Sequence, residues 1–269
     1  MKIGSFFSRY LKVLPGFLII GAQKGGTTSL ASALANHPSL VLPAIREVHF
    51  FDLHYQRGVK WYRNQFAVPA GEYLRKILLG KPFVAFESSP YYLFEPRVPA
   101  RVYDLLPEVR SIVLLRNPID RAYSQYQHHL RIGGEHLSFE DALRAESERL
   151  DGEVDKMLAD GSYLSASHRI FSYLARGIYA DQLTNWLNYF PKSQLMIVQS
   201  EEFFRQPANV FRQVLEYLDL PPWEPDRFVQ DNAGTYAPMN PKTRAWLRAY
   251  FAPHNQRLYA LLEKDYGWE

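Results

Sequence analysis

Four short apolar runs constrain the fold most. They are FLII at residues 17–20, FVAFE at 83–87, SIVLL at 111–115 and LMIV at 195–198. Each is continuous rather than alternating, the pattern of strands covered on both faces. Helical periodicity separates them. Residues 28–35 follow the first run, and Ile119, Ala122, Tyr123, Tyr126 and Leu130 trace one helical face from Pro118 onward. Residues 182–189 and 210–218 read as further helices, and a last helix begins near Lys242 and passes Leu262. This alternation predicts an α/β protein, a mostly parallel sheet flanked by helices in three layers. The whole chain of 269 residues reads as one domain. Residues 1–16 form its lead segment, and the weakly patterned stretch 131–167 is a candidate lid or helical insertion.

Composition narrows the chemistry. The net charge is +3, which suits an anionic ligand without demanding nucleic acid. There are no cysteines, so disulfides, thiolate zinc sites and a cysteine nucleophile are excluded. A reducing, cytoplasmic compartment is expected on the same ground. No window of about 18 apolar residues predicts a membrane span, and the start of the chain lacks a signal-peptide cleavage pattern. The histidines show no zinc spacing, so no metal is expected. The adjacent His128 and His129 read as a helix surface.

The first run leads into GAQKGGTTSL, a strand, a glycine-rich turn and a helix start. That is the context of a phosphate loop. Gly21, Gly25 and Gly26 let the backbone approach a ligand. The N–H groups of the turn and the hydroxyls of Thr27, Thr28 and Ser29 are donors, and Lys24 is a point charge. A plain strand-to-helix turn is the structural alternative. The lysine precedes the glycine pair, unlike the G-x-x-x-x-G-K-[ST] of nucleotide-triphosphate loops. This spacing suits one 5′-phosphate-like group with no obligatory magnesium.

A second unit, IVLLRNPIDRAYSQYQ, repeats the strand–loop–helix order. Asn117 suits a helix cap and Pro118 the first helical position. Arg116 falls at the carboxyl end of its strand, where open α/β sheets bind ligands. With Ile119, Tyr123 and Tyr126 as the core face, Ser124 lies about 140° away, on a polar side shared with Arg121 and His128. Arg116 and Ser124 are therefore candidates for a second anion. Alone, they read equally as a surface arginine and a surface serine.

These motifs resemble those of the sulfotransferases that use 3′-phosphoadenosine 5′-phosphosulfate (PAPS). GAQKGGTTSL is similar to their 5′-phosphosulfate loop, and IVLLRNPIDRAYSQY to their 3′-phosphate motif. With REVHFFD, FESSPYYL, GIYADQLTNWLNYFPKSQLMIVQSEEF and the tail TYAPMNPKTRAWLRAYFAPHNQRL, the chain resembles the heparan-sulfate sulfotransferase-like branch and its bacterial relatives. The resemblance implies a P-loop, nucleotide-kinase-like sulfotransferase fold. It implies that Lys24 stabilises the leaving phosphate, that Gly25, Gly26, Thr27, Thr28 and Ser29 cradle the 5′ phosphate, and that Arg116 and Ser124 bind the 3′ phosphate. Glu47 matches the general base, and His49 and Asp52 match acceptor-side residues. Two departures stand out. Ser88 occupies a position often held by lysine, and the late cofactor loop reads NAGTYAP without a basic residue, so Gly234, Thr235 and Tyr236 are its candidates. Absence of the disulfide common in animal members points to a bacterial-type enzyme.

Transfer of a sulfuryl group needs a base. In an extended segment Glu47 and His49 share a side, so Glu47 is a base that His49 orients or replaces. Their structural alternatives are a charge paired with Arg46 and a hydrogen-bonded support for two phenylalanines. Glu87, at a strand end, and Ser88 are candidates for acceptor binding. Phe50, Tyr55, Trp61, Tyr62, Tyr91 and Tyr92 are either an acceptor pocket or core, with core the default. The expected donor product is 3′,5′-adenosine bisphosphate, and the acceptor is a small molecule, lipid or carbohydrate. An ATP-dependent kinase and a non-catalytic nucleotide-binding module are the alternatives.

Overall fold

The computed structural model describes residues 10–80, 83–229 and 236–268. In chain order the elements are β1 (Tyr10–Lys12), β2 (Pro15–Gly21), α1 (Thr27–Ala35), β3 (Leu40–Val41), α2 (Gly58–Asn64), β4 (Ala67–Pro69), α3 (Ala70–Leu78) and β5 (Val84–Ser88). Then follow α4 (Val98–Leu105), β6 (Arg110–Leu115), α5 (Pro118–Arg131), α6 (Phe139–Leu150), α7 (Glu153–Ala159), α8 (Ala166–Ile170) and α9 (Tyr179–Leu187). The chain ends with β7 (Leu195–Gln199), α10 (Ser200–Arg205), α11 (Pro207–Tyr217) and α12 (Pro241–Leu262).

The four apolar runs are the strands β2, β5, β6 and β7. With the short edge strand β3 they form a parallel sheet in the order β3-β5-β2-β6-β7. Alternation along β2 divides the core. Leu18 and Ile20 join Val113, Leu115, Tyr92 and Trp186 on one face, while Phe17 and Ile19 join Leu30, Ile112, Leu114 and Phe211 on the other. Each fully buried side chain of this size contributes about 1.5–3 kcal/mol relative to exposure. Helices thus cover both faces, as continuous apolar strands require. β1 and β4 pair antiparallel outside this sheet. At three residues each, neither carries a periodicity legible in sequence.

Helix α5 is capped as the sequence predicts, with Asn117 Oδ1 accepting from the Ile119 N–H at 3.0 Å and Pro118 in the first turn. Its polar side is a correction. Arg121 is wholly buried, Ser124 and His129 are buried too, and Leu130 of the expected core face is exposed. The stretch 131–167 folds into α6, α7 and the start of α8, and α6 packs on the apolar side of α5, whereas the opposite side is covered by residues 170–173, just past that stretch. Phe139, Ala142 and Leu143 pack with Ile119, Ala122, Tyr126, Tyr173, Leu247 and Phe251. On the opposite side, Arg121 donates to Gln125 Oε1 at 2.7 Å and to the Tyr173 carbonyl at 2.5 Å. The buried Glu146 carboxylate accepts from the N–H groups of Tyr173, Leu174 and Ala175 at 2.7–2.9 Å. Polar residues in this insertion satisfy backbone donors, which is why its sequence lacks a clean apolar stripe.

Candidate active site

The glycine-rich turn sits at the carboxyl end of β2, in the middle of the sheet. Gly26 is the N-cap of α1, with φ 98°, and no side chain caps that helix. The first-turn N–H groups of α1 therefore point outward from the helix start, together with its positive dipole end. The turn is folded tightly onto β6. The Ala22 N–H donates to the Leu114 carbonyl at 2.8 Å, and Ser200 Oγ donates to the Gly25 carbonyl at 2.6 Å. A Cβ on Gly25 would stand 2.4 Å from the Leu114 carbonyl oxygen, so only glycine fits. The Gly25 N–H donates to the Ala22 carbonyl at 2.8 Å, so Gly25 shapes the turn rather than offering its own donor. Thr27 and Ser29 are buried beneath the turn and Thr28 is half-buried.

Positive charge gathers beside it. Burial lowers the Lys24 ammonium from its ordinary value, and the guanidinium groups of Arg131 and Arg116 lower it further. Arg116 lies one residue past β6 and donates to the Lys24 carbonyl at 3.2 Å. The second motif thus touches the first, as their positions on neighbouring strands require. Ser124 lies two turns along α5, buried. Tyr123 beside it binds the late segment: its hydroxyl donates to the Ala237 carbonyl at 2.9 Å, and its ring meets Tyr236 edge-on at 5.4 Å. Gly234 and Thr235 lie outside the described residues.

A second feature is an acid–histidine cluster. His49 Nε2 is 2.9 Å from Glu47 Oε2, and Nδ1 is 2.7 Å from Asp52 Oδ2. The segment is not extended, a correction to the alternation argument. His49 has φ 51°, and this bend brings Glu47 and Asp52 to opposite nitrogens of one ring. The His49 N–H donates to Ser89 Oγ at 3.1 Å, fixing the bend to the segment after β5. Burial opposes protonation of His49, but hydrogen bonds to Asp52 and Glu47 outweigh it and raise its pKa to about 10. At neutral pH the ring is an imidazolium donating from both nitrogens. Asp52 is buried, whereas the Glu47 side chain is 39% exposed.

Glu87 lies under this cluster and does not line it. Its side chain is wholly buried, and neither carboxyl oxygen completes a hydrogen bond, although Tyr62 and Tyr92 lie beside it. Burial raises its pKa to about 8, and nearby Asp52 pushes the same way. Ser88 is also buried, on β5 opposite Ile19. Phe50, Tyr62, Tyr91 and Tyr92 are core, with Phe50 stacked on Tyr62 at 4.3 Å.

Three participants escape sequence reasoning. His128, on α5, feels both Lys24 and Glu47, so it stands between the loop and the acid. Arg131 joins the cationic cluster from the end of the same helix. Arg176 is buried, binds the Gln23 side chain of the turn, and donates to the His168 and Arg169 carbonyls at 3.2 and 2.8 Å. Its guanidinium lies 5.1 Å from the Tyr91 ring and 5.0 Å from that of Phe94. Arg176 and Gln23 are 153 positions apart, so no local pattern links them.

The fold and site define a class: an α/β protein with a five-stranded parallel sheet, whose central loop joins a lysine to an uncapped helix start, with an acid–histidine cluster after β3. The chain belongs to the sulfotransferase family, since the family's sulfotransferase-domain model matches residues 14–237. It is similar to the heparan sulfate glucosamine 3-O-sulfotransferase 6 of Mus musculus, at 28% identity over 95% of this chain and 74% of that protein. It is also similar to the bifunctional heparan sulfate N-deacetylase/N-sulfotransferase 4 of Mus musculus, at 30% identity over 93% of this chain, and it spans 30% of the length of that relative. Among solved structures it resembles a sulfotransferase from Alicyclobacillus acidocaldarius, with 33% identity, a TM-score of 0.69, and coverage of 94% of this chain and 97% of that one.

Proposed function

We propose that this sulfotransferase moves the sulfuryl group of PAPS to a hydroxyl or amine of a carbohydrate, lipid or small-metabolite acceptor, with Glu47 as general base. One observation carries this reading. The uncapped start of α1 follows Lys24, which feels the charges of Arg131 and Arg116, and His128 feels both Lys24 and Glu47. The residues fit the donor: a bare helix terminus and three cations suit a dianionic nucleotide carrying a second phosphate. Thr27, Thr28 and Ser29 would meet the 5′ phosphate, and Arg116, Ser124 and Tyr236 the 3′-phosphate end.

Glu47 accepts the acceptor's proton as the new bond to sulfur forms. The bond from sulfur to the bridging oxygen breaks, and its electron pair stays on that oxygen as adenosine 3′,5′-bisphosphate departs. Lys24 and the α1 terminus meet the charge developing there, usually a large catalytic contribution. His49 orients Glu47 by donating to it. As an imidazolium it has no free lone pair, which disfavours it as a substitute base. The names of the relatives favour a sugar acceptor, since one is a glucosamine 3-O-sulfotransferase and another an N-sulfotransferase.

The test combines thermal shift and turnover. Adenosine 3′,5′-bisphosphate is expected to stabilise the protein more than ATP–magnesium does. Sulfate transfer from labelled PAPS to glycan acceptors is expected to fall in Glu47→Gln with bisphosphate binding retained. Stabilisation by ATP–magnesium alone overturns the donor, and an active Glu47→Gln overturns the base.

A further inference from the structure

Arg176 is a cation buried without an acid. Its partners are neutral: the Gln23 side-chain oxygen, and the His168 and Arg169 carbonyls at 3.2 and 2.8 Å. The rings of Tyr91 and Phe94 complete its surroundings. Among the described residues no carboxylate forms an ion pair with it, and its Nε has no hydrogen-bond partner. Burying a charge on neutral acceptors destabilises a fold, and an apolar residue of similar volume often packs as well or better. Stability alone therefore gives no reason for a guanidinium here.

The turn that carries it is firmly seated. The Ala175 N–H donates to the buried Glu146 carboxylate at 2.8 Å, and the Gln182 side chain donates to the Arg176 carbonyl at 2.9 Å. A Cβ on Gly177 would stand 2.7 Å from the Phe251 ring and 3.0 Å from Pro118, so the turn lies tight against α12 and the start of α5. From this seat Arg176 reaches Gln23, which is half-buried in the glycine-rich turn. A guanidinium only donates, so the contact fixes the Gln23 amide with its oxygen toward Arg176.

The residue after Gln23 needs holding. Lys24 has φ 69°, a left-handed conformation that a lysine keeps only where its surroundings impose it. Arg116 holds the Lys24 carbonyl and Ser200 the Gly25 carbonyl. The Arg176 contact holds the side chain on the preceding side. We propose that Arg176 is a positioning residue for sulfuryl transfer. Through Gln23 it fixes the turn in the conformation that presents the Lys24 ammonium to the departing phosphate. It touches no reacting atom itself. The proposal rests on the role assigned to Lys24 above, and its test separates the two.

Gln23→Met removes the accepting oxygen at nearly constant volume and leaves Arg176 in place. In single-turnover transfer from saturating labelled PAPS, it is expected to lower the rate about 10–100-fold. In a Lys24→Ala background the same substitution is expected to change little, because the group it positions is gone. A loss through general loosening would be equal in both backgrounds. Arg176→Met is expected to follow the same pattern, and Gln23→Met decides the matter where Arg176→Met fails to fold. A second readout needs no turnover. Burial, with Arg131 and Arg116 nearby, lowers the Lys24 ammonium from 10.5. The pH midpoint of Lys24 acetylation by limiting acetic anhydride, read by mass spectrometry, is expected to rise toward 10.5 in Gln23→Met. An unchanged rate, equal losses in both backgrounds or an unshifted midpoint overturns the proposal. A wild type that transfers no sulfuryl group refutes the reaction instead, and the midpoint then decides whether Arg176 holds the turn.

Discussion

His49 offers the sharpest quantitative test, because its charge follows from geometry. Its ring is held between two carboxylates at 2.7 and 2.9 Å, which lifts its pKa from 6.5 to about 10. At about 1.4 kcal/mol for each tenfold gain in proton affinity, that rise corresponds to roughly 5 kcal/mol. Solvent screening on the open Glu47 side reduces it to about 2–3 kcal/mol. The sign follows from linkage: the folded state binds this proton more tightly than the unfolded chain. The stabilisation is therefore complete below pH 6.5 and is lost as pH rises toward about 10. The perturbation is His49→Gln, measured by urea unfolding across this range. The variant's packing and hydrogen-bond losses are the same at every pH, so the change in the gap to wild type reports the charge. The gap is expected to narrow by about 2–3 kcal/mol between pH 6.5 and about 10. A constant gap refutes the imidazolium, and with it the role of His49 as a donor to Glu47.

Other outcomes follow from the same site. Lys24→Ala is expected to lower kcat about 10²–10³-fold while the melting temperature holds, because Lys24 meets charge that develops late; single-turnover kinetics with saturating donor reads this. Arg116→Ala is expected to weaken adenosine 3′,5′-bisphosphate binding about 10–100-fold by calorimetry, the scale of a lost charge-assisted contact. Glu87→Gln isolates the buried acid. Since Glu87 titrates near 8 when folded, the folded state holds a proton that the unfolded chain releases above 4.5, and wild type loses stability across that window. The variant, neutral throughout, is expected to gain on wild type from pH 4.5 to about 8 in urea melts; parallel curves contradict the burial argument. Gly25→Ala is expected to destabilise the protein by about 1–3 kcal/mol in thermal unfolding, because its Cβ would overlap the Leu114 carbonyl at 2.4 Å.

Much of the architecture was legible in residue order. The continuous runs of β2, β5, β6 and β7 exposed the sheet because strands buried on both faces carry no polar alternation. The glycines and lysine of the turn, and the Asn117-Pro118 cap, were visible because their requirements are local. The acid cluster was half legible. Glu47 and His49 do meet, but through a bend at His49 and not through the alternation of an extended chain. Glu87 was misplaced because position at a strand end does not reveal which face is covered. Arg121 departs from its expected exposure for the same reason, since the segment around Tyr173 that covers its side of α5 lies farther along the chain.

What the sequence determined by itself is therefore the set of elements and the two anion motifs, each written in a few adjacent residues. Tertiary structure alone decided which charges meet. Arg116 reaches the Lys24 carbonyl because parallel strands bring their carboxyl ends to one edge, Arg176 holds Gln23 from 153 positions away, and the bend at His49 brings Asp52 to its ring. Burial then set the protonation states. The same histidine that would titrate near 6.5 in water is charged to about 10 between two carboxylates, and Glu87, denied a partner, keeps its proton to about 8.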